Sequence, residues 1–497
     1  MLVLQSLVFG VFISLAVAYA RFLWKRRRMY HLAAKLDGPK GLPFIGIGHH
    51  LFNLSLTEIF EYLMNEPEKY ETPSKFWLGP ELVVFANTPD MLQIVLNSPK
   101  CLDKSPLYDL FVLKKGLLIV GGEMWKRHRK ALNPAFSIGN IKKFIQLFDE
   151  KSKIFVKNCE KHIEKKSFDV YGYMSACSLE TLLKGNCNYV CDIQSDALNN
   201  VYIKNVEKGA KILMDRVKNI LYHFEAIYHL SKLYRDEQLY IHEGALKIAD
   251  EIYEQYRNQL KDKNTFNDSD GYQMEPKNFV DCLLEEKNQF EMDEIKDEIN
   301  TLVAAGHETS AFVVSCTILM LSMFPEVQQK VFEEIEEVFN KSNYEIDYEK
   351  LSKLVYLDMV IKETMRLFPV VPFGTRRSND EVEIGDKVIP AGTTIVISTY
   401  SVQRSKNFWG DDADKFNPER FSPENFKNIH PYAYIPFNGG PRICIGWRYG
   451  MMFMKTILTN FLRNFEASTE LKFEDLTCKI ALSLKLNQKC LISVRKR

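Results

Sequence analysis

The chain is short of net charge: 65 lysines and arginines stand against 64 aspartates and glutamates. Nucleic-acid binders carry a basic excess or stripe, so that class of partner is excluded. It also lacks any C-x-x-C pair. Its ten cysteines lie scattered at 101, 159, 177, 187, 191, 282, 316, 444, 478 and 490, which suggests neither a zinc site nor a disulfide framework. Cys187 and Cys191 have no partnering histidines to complete a metal site, and scattered free thiols fit a reducing compartment. A third glycine is missing after Gly46-Ile47-Gly48, so this is no dinucleotide loop. Asp268-Ser269-Asp270-Gly271 lacks the later ligands of a calcium loop and reads as part of a polar connection over 261–277. Apolar residues are not scarce. At 46% of the chain they suffice for one large core.

The N-terminus is one long apolar run, Leu2 to Ala20, followed by Arg21, Phe22, Leu23, Trp24 and the basic block Lys25-Arg26-Arg27-Arg28. About 20 helical residues at ~1.5 Å each reach ~30 Å, one hydrocarbon core. Ala18-Tyr19-Ala20 looks like a signal cleavage site, but a signal peptide carries its charge ahead of the apolar run, and here it lies behind. The basic block stays cytosolic by the positive-inside rule, and the rest of the chain with it. Next comes Gly38-Pro39-Lys40-Gly41-Leu42-Pro43-Phe44-Ile45-Gly46, too rich in proline and glycine to continue a helix. The chain therefore divides into a transmembrane anchor over 1–24, a basic and proline/glycine hinge over 25–46, and one large catalytic domain over 47–497.

Within that domain the reading is mainly α with smaller β-sheets. Two short strands flank Gly79-Pro80, over 76–82 and 82–86, and Asn87 or Thr88 caps a helix through Val95. Apolar residues recur every three or four positions from Lys142 to about Leu260, a helical pattern. Asp293 to Met323 predicts a core helix, acidic at its start and apolar nearly all round from Leu302 to Leu321. In its middle stands Ala304-Ala305-Gly306-His307-Glu308-Thr309. A glycine, a charge and a hydroxyl there cost stability, and we expect a local break opening a groove. His307 reads as structural. Asp347 to Phe368 predicts one helix. Strand pairs are expected over 383–389 with 393–398, and over 478–484 with 490–494.

The most informative stretch is Phe437-Asn-Gly-Gly440-Pro-Arg442-Ile-Cys444-Ile-Gly446. It presents one thiol in a glycine-rich loop ahead of a helical run, Met451 to Leu462. Arg442 and the helix N-terminus would both favour the thiolate, a strong iron ligand. Gly440 and Gly446 allow backbone to approach a flat cofactor. Five fixed residues match F-x-x-G-x-R-x-C-x-G, which resembles the haem-thiolate loop of the cytochrome P450 superfamily. Four further motifs follow that family's order: Trp125-x-x-x-Arg129, Ala305-Gly-His-Glu308-Thr309, Glu363-x-x-Arg366 and Pro418-Glu-Arg420-Phe421. Val371-Pro372-x-x-x-Arg376 is similar to another of its segments, with Arg377 as an adjacent candidate. The whole looks most like the animal clan that includes family 4 and its insect branches.

That resemblance implies the cytochrome P450 fold and haem b held non-covalently. Cys444 would be the axial metal ligand, with Trp125, Arg129, Arg376, Phe437, Gly440, Arg442 and Gly446 around the cofactor. Thr309 and Glu308 would be the catalytic pair, the hydroxyl bonding dioxygen and the carboxylate feeding protons. Glu363, Arg366 and Arg420 would lock the core behind the haem. Many family 4 members carry a glutamate that esterifies a haem methyl; here that position is Ala305. The implied activity is insertion of one oxygen atom into an apolar substrate (fatty acid, hormone or xenobiotic), on the cytosolic face of the endoplasmic reticulum. Electrons would come from NADPH through cytochrome P450 reductase, with cytochrome b5 a further partner, because nothing here resembles a flavin or nicotinamide domain. Lys126, Arg127, Lys130, Arg448 and Lys455 would form the docking face. The rival readings are a haem-thiolate isomerase or dehydratase, and a non-catalytic haem or lipid binder.

Overall fold

A computed structural model describes residues 2–42, 44–51, 53–263, 277–339 and 345–497. Pro43 of the hinge and the calcium-like segment 268–271 therefore lie outside the described residues. The first helix, α1 (Leu2–Lys25), has 24 residues, about 36 Å. Phe9, Phe12, Leu15 and Trp24 along it are exposed.

Four long helices form the core: α3 (Ile138–Glu160), α4 (Val170–Cys187), α6 (Met292–Met323) and α8 (Trp447–Asn464). α6 packs on α4 and α8, and α3 on α4 and α8. The sequence explains each. Ser137 caps α3 by accepting the Asn140 N–H, and Ile141, Ile145, Phe148, Phe155 and Cys159 form its buried stripe. Phe148 meets Phe453 of α8 edge to face at 5.4 Å, and Phe155 meets Phe461 at 6.1 Å. All four rings are fully buried, each worth about 2–3 kcal/mol relative to exposure. α6 is 32 residues long, about 48 Å, and buried nearly all round from Ala311 to Ser322. Its length and apolarity would let it cross a membrane, but 72% of the span is buried inside the protein, so it is a core helix.

Strands β1 (Ser74–Leu78) and β2 (Glu81–Ala86) make the expected hairpin, with Ser74 opposite Phe85. β2 is buried from Leu82 to Ala86 because β4 (Thr394–Ile397) flanks it in parallel, and β3 (Gly374–Arg377) pairs antiparallel with β4. Two expected pairings are thereby corrected. Residues 382–384 pair with 387–389, not with 393–398. At the C-terminus β6 (Cys478–Ile480) pairs with β7 (Leu484–Leu486). β8 (Leu491–Lys496) joins β5 (Phe465–Ser468) and residues 168–169 instead. Alternation marks a strand but carries no information about its partner. The helix expected over 347–368 is two, Tyr348–Lys353 and α7 (Val355–Leu367), because Leu354 between them leaves the helical region at ψ 83°.

Candidate active site

The cysteine loop connects this sheet to α8. The Cys444 N–H donates to the Phe437 carbonyl at 2.9 Å and closes the loop. Asn438 and Gly440 take positive φ, 65° and 64°. A Cβ on Gly440 would come within 2.0 Å of the Leu96 carbonyl oxygen, so glycine is required there. Gly446 is the N-cap of α8, and a Cβ on it would only touch Phe136 at 3.7 Å. The Cys444 side chain is exposed at the mouth of the loop. Surrounding protein still pushes its thiol up, against the lowering influence of the Gly446 N–H and Arg129.

The expected role of Arg442 beside the thiolate is not what the loop shows. Arg442 does not serve the sulfur. Its Nη2 donates to the Val120 carbonyl at 2.6 Å and Nη1 to Leu117 at 3.4 Å, tying the cysteine loop to the 104–120 segment. Its guanidinium lies over the Trp125 ring at 4.4 Å. Arg129, from the same helix as Trp125 (α2, Gly122–Leu132), is the cation beside Cys444 and donates Nη1 to the Ile443 carbonyl at 2.8 Å.

Arg376, on β3, is fully buried, whereas its neighbour Arg377 is engaged by Glu81 and sits 3.4 Å from the Thr394 hydroxyl. Arg376 is thus the inward arginine. Burial, then Arg376, and more weakly Arg129, push Arg442 down to about 9. Lys104 joins them, lowered well below its ordinary value by burial and by Arg376 and Arg442. Arg376 Nη2 and Arg442 Nε are buried with no hydrogen-bond partner among the described residues. Buried cations crowded against one another with unused donors call for an anionic ligand carrying several acceptors.

On α6 the expected break is absent: the helix runs unbroken from Met292 to Met323. The Thr309 hydroxyl donates to the Ala305 carbonyl at 2.7 Å, the back-bond by which threonine satisfies itself inside a helix without opening it. Ala305 is exposed, and Thr309, four residues on, shares its face. Glu308, next to Thr309, is buried and ion-pairs with Lys485 of β7. His307 is buried, with Nδ1 2.9 Å from the Val303 carbonyl.

Behind the loop, Glu363 and Arg366 are fully buried and bidentate at 2.7 and 2.8 Å. Arg366 also donates to the carbonyls of Gln403 (2.9 Å), Ala413 (2.7 Å) and Lys415 (3.1 Å). Arg420 lies 3.6 Å from Glu363 and donates to the Trp409 carbonyl at 2.9 Å. Gln403, which sequence reasoning missed, accepts the Ile435 N–H at 2.9 Å, linking this network to the cysteine loop. Of the expected docking cations, Lys126, Lys130 and Arg448 are exposed. Arg127 is held by Glu294, and Lys455 is buried against Asp358 at 3.0 Å. Lys104 and Lys485 were also missed. Each stands on a loop or strand far in sequence from its partners, where no spacing signals it.

A thiol beside Arg129, together with the unused donors of the mutually repelling Arg376 and Arg442, fits an iron porphyrin with two carboxylates. The comparisons agree. The family model for cytochrome P450 matches residues 36–491. The chain is 32% identical to cytochrome P450 4V2 of Mus musculus over 97% of its length and 92% of that protein's. It is 32% identical to cytochrome P450 4d1 of Drosophila melanogaster, with 93% of each covered. Against cytochrome P450 4c21 of Blattella germanica it is 30% identical over 97% of this chain and 96% of that one. The chain belongs to the cytochrome P450 family. Its activity class is that of a haem-thiolate monooxygenase.

Proposed function

We propose that this chain is a membrane-anchored monooxygenase of apolar organic compounds, fed with electrons from NADPH by a reductase. The observation that carries the substrate class is a set of segments tied to one another and to α6. Ser105 and Thr375 share a hydrogen bond of 2.6 Å, the Leu484 N–H donates to Val370 at 2.8 Å, and β7 reaches α6 through Lys485. Leu107, Leu118, Val371 and Leu482 on these segments are left exposed. Exposed apolar side chains on segments joined in this way favour an apolar ligand.

Cys444 would hold the haem iron, and Lys104, Arg129, Arg376 and Arg442 its carboxylates, with Trp125 stacked beneath Arg442. When bound, the haem supplies dioxygen activation, to which thiolate electron density contributes. Thr309 presents a hydroxyl on the face open to substrate, and Glu308 is the carboxylate that brings protons to it. One oxygen atom enters the substrate and the other leaves as water. The cation cluster and the buried Glu363–Arg366 pair orient; the apolar segments exclude water. α1 would anchor the chain in the endoplasmic reticulum membrane, with Lys126, Lys130 and Arg448 as the reductase-facing cations.

The test is spectroscopic, then functional. Reduced, carbon-monoxide-treated protein should show the band diagnostic of thiolate ligation, and Cys444→Ala should lack it. Fatty acids, hormones and foreign apolar compounds should then be screened for substrate-induced Soret shifts. Those that shift should drive NADPH-dependent oxygen consumption, with reductase, matched to oxygenated product. Oxygen-independent rearrangement, or binding without turnover, would refute the reading.

A further inference from the structure

Near its start α6 carries two buried carboxylates, Glu294 and Glu298. Four-residue spacing stacks them on one face, where like charges repel. Two consecutive residues of α2, Arg127 and His128, meet them there. The His128 ring is fully buried and held at both nitrogens. Nε2 lies 3.2 Å from Arg127 Nη2, which can only donate, so it accepts. Nδ1 therefore carries the proton and donates to Glu298 Oε1 at 2.6 Å. Arg127 also pairs with Glu294 and donates Nη1 to the Gln289 carbonyl at 2.7 Å. Phe290 closes the corner, its ring 4.7 Å from the imidazole and 5.3 Å from the guanidinium. Helix α5 (Phe279–Leu284), just ahead of it, packs on both α2 and α6.

The two carboxylates are held unequally. Glu294 accepts the Glu291 N–H at 2.9 Å as well as Arg127, and these outweigh burial and lower it. Glu298 is raised by burial, with His128 the main group opposing, and its Oε2 is buried with no hydrogen-bond partner among the described residues. His128 is thus what holds Glu298 to α2. On α2, Trp125 and Arg129 serve the cysteine loop. His128, one residue from Arg129, projects about 100° away from it. On α6, Ala305 stands seven residues beyond Glu298 and returns to the same side within about 20°. One bond therefore ties the helix that brings a cation to Cys444 to the side of α6 on which Ala305 lies exposed.

We propose that His128 is a positioning residue for the cofactor: through Glu298 it sets α2 against α6 and so keeps Arg129 beside Cys444. The proposal rests on the assignment of Cys444 and Arg129 to the haem made above. A cation held close favours the extra negative charge of the reduced state, so its retreat makes reduction harder and loosens the haem. The imidazole is neutral, and replacing it removes no charge of its own. Neutralising Glu298 alone would make reduction easier, so the sign of the shift separates the two causes.

The experiment uses full-length holoenzyme and three readouts: reduction potential, rate of haem transfer to excess apomyoglobin, and thermal midpoint. His128→Phe keeps a ring against Phe290 and removes the donor. It should speed haem transfer several-fold and weaken reduction about threefold, a negative shift of roughly 30 mV at 59 mV per tenfold. It should also lower the midpoint, because Glu298 is left buried without its partner. His128→Asn, whose amide nitrogen stands where Nδ1 stands, should restore most of both haem readouts. His128→Phe/Glu298→Met removes the stranded carboxylate, so the midpoint should recover while the haem readouts stay shifted. Should His128→Phe bind no haem, Glu298→Met carries the test, with faster haem transfer and a shift of the same sign. Midpoint and haem readouts recovering together in the double variant, a positive shift, or parental values in His128→Phe would overturn the proposal. If Arg129→Met leaves both haem readouts unmoved, the assignment of Arg129 beneath it fails, and the proposal with it.

Discussion

Replacing Arg366 by methionine should cost the protein both stability and its haem. The guanidinium has no exposure and makes five contacts: two to Glu363 and three to carbonyls of Gln403, Ala413 and Lys415. Methionine fills much of the volume but leaves the Glu363 carboxylate with only the Asn417 N–H at 2.9 Å and Arg420 at 3.6 Å. Breaking a buried pair by deleting one partner costs about 3–5 kcal/mol. At ~2.1 cal/mol/K per residue, 497 residues unfold with about 1 kcal/mol/K of entropy, so the midpoint should drop by about 3–5 °C. The three orphaned carbonyls lie in the stretch leading to the cysteine loop, so haem bound per chain and the carbon-monoxide band should fall further than stability alone requires. An internal control exists. Glu254 and Arg257 have the same three-residue spacing, but both are 54% exposed, and Arg257→Met should change stability by at most ~0.5 kcal/mol, since solvent screens the pair. Circular dichroism melting and haem quantification would read both variants. Equal midpoints for the two, or an Arg366→Met protein with full haem and a shift under 1 °C, would refute the argument.

Gly440→Ala should abolish most haem incorporation, because φ is 64° and the new Cβ would lie 2.0 Å from the Leu96 carbonyl; full haem content in that variant would contradict it. Asp358 is lowered: burial pushes it up, but Lys455 and Lys362 outweigh that. Its stabilisation is therefore present above the ordinary aspartate range and lost as pH falls through the lower folded value. Asp358→Asn should destabilise by about 2–4 kcal/mol at neutral pH, and urea midpoints of variant and parent should converge toward pH 3. Acid-ketone extraction should release all haem from the polypeptide, since Ala305 has no carboxylate to form an ester; haem retained on the chain would overturn this. Reversing Lys126 and Lys130 to glutamate should slow reductase-dependent reduction and flatten its salt dependence, whereas an unaltered rate and salt dependence in that variant would refute the docking face.

What could be read in the sequence was local. Phe437 to Gly446 is ten adjacent residues whose types carry their own chemistry, and Trp125 and Arg129 share a helix face by periodicity alone. The stripes of α3 and α6 were equally plain, because burial writes itself at three- and four-residue spacing. Direction in a loop is not written that way. Arg442 is next but one to Cys444, and proximity suggested that it serves the sulfur. In the fold its side chain leaves toward Leu117 and Val120, and Arg129, 315 residues away in sequence, takes the place beside the thiol. The strand partners of β4 and β8 failed for a related reason: an edge is chosen by tertiary packing, and alternation is satisfied by any partner of suitable length. Lys455 looked like a surface cation in a basic helix, yet its Nζ donates to the Leu351 and Leu354 carbonyls at 3.3 and 3.1 Å.

The two carboxylates of α7 show why the network behind the cysteine loop is better understood as alignment than as strength. Asp358 is lowered by its lysines and favours the folded state at neutral pH. Glu363, five residues on, is raised: complete burial outweighs Arg366, the Asn417 N–H and Arg420 together. With its folded value above its unfolded one, Glu363 contributes stability below the unfolded value and loses it as pH rises through the folded one. At neutral pH it is a cost the fold carries. What that cost secures is position: one guanidinium gathers carbonyls from 403, 413 and 415, and Gln403 passes the registration to Ile435, nine residues before the thiol. An apolar pair of similar volume would hold α7 in place with less strain on stability. It would offer nothing to orient three separate carbonyls, and the loop that presents Cys444 hangs from them.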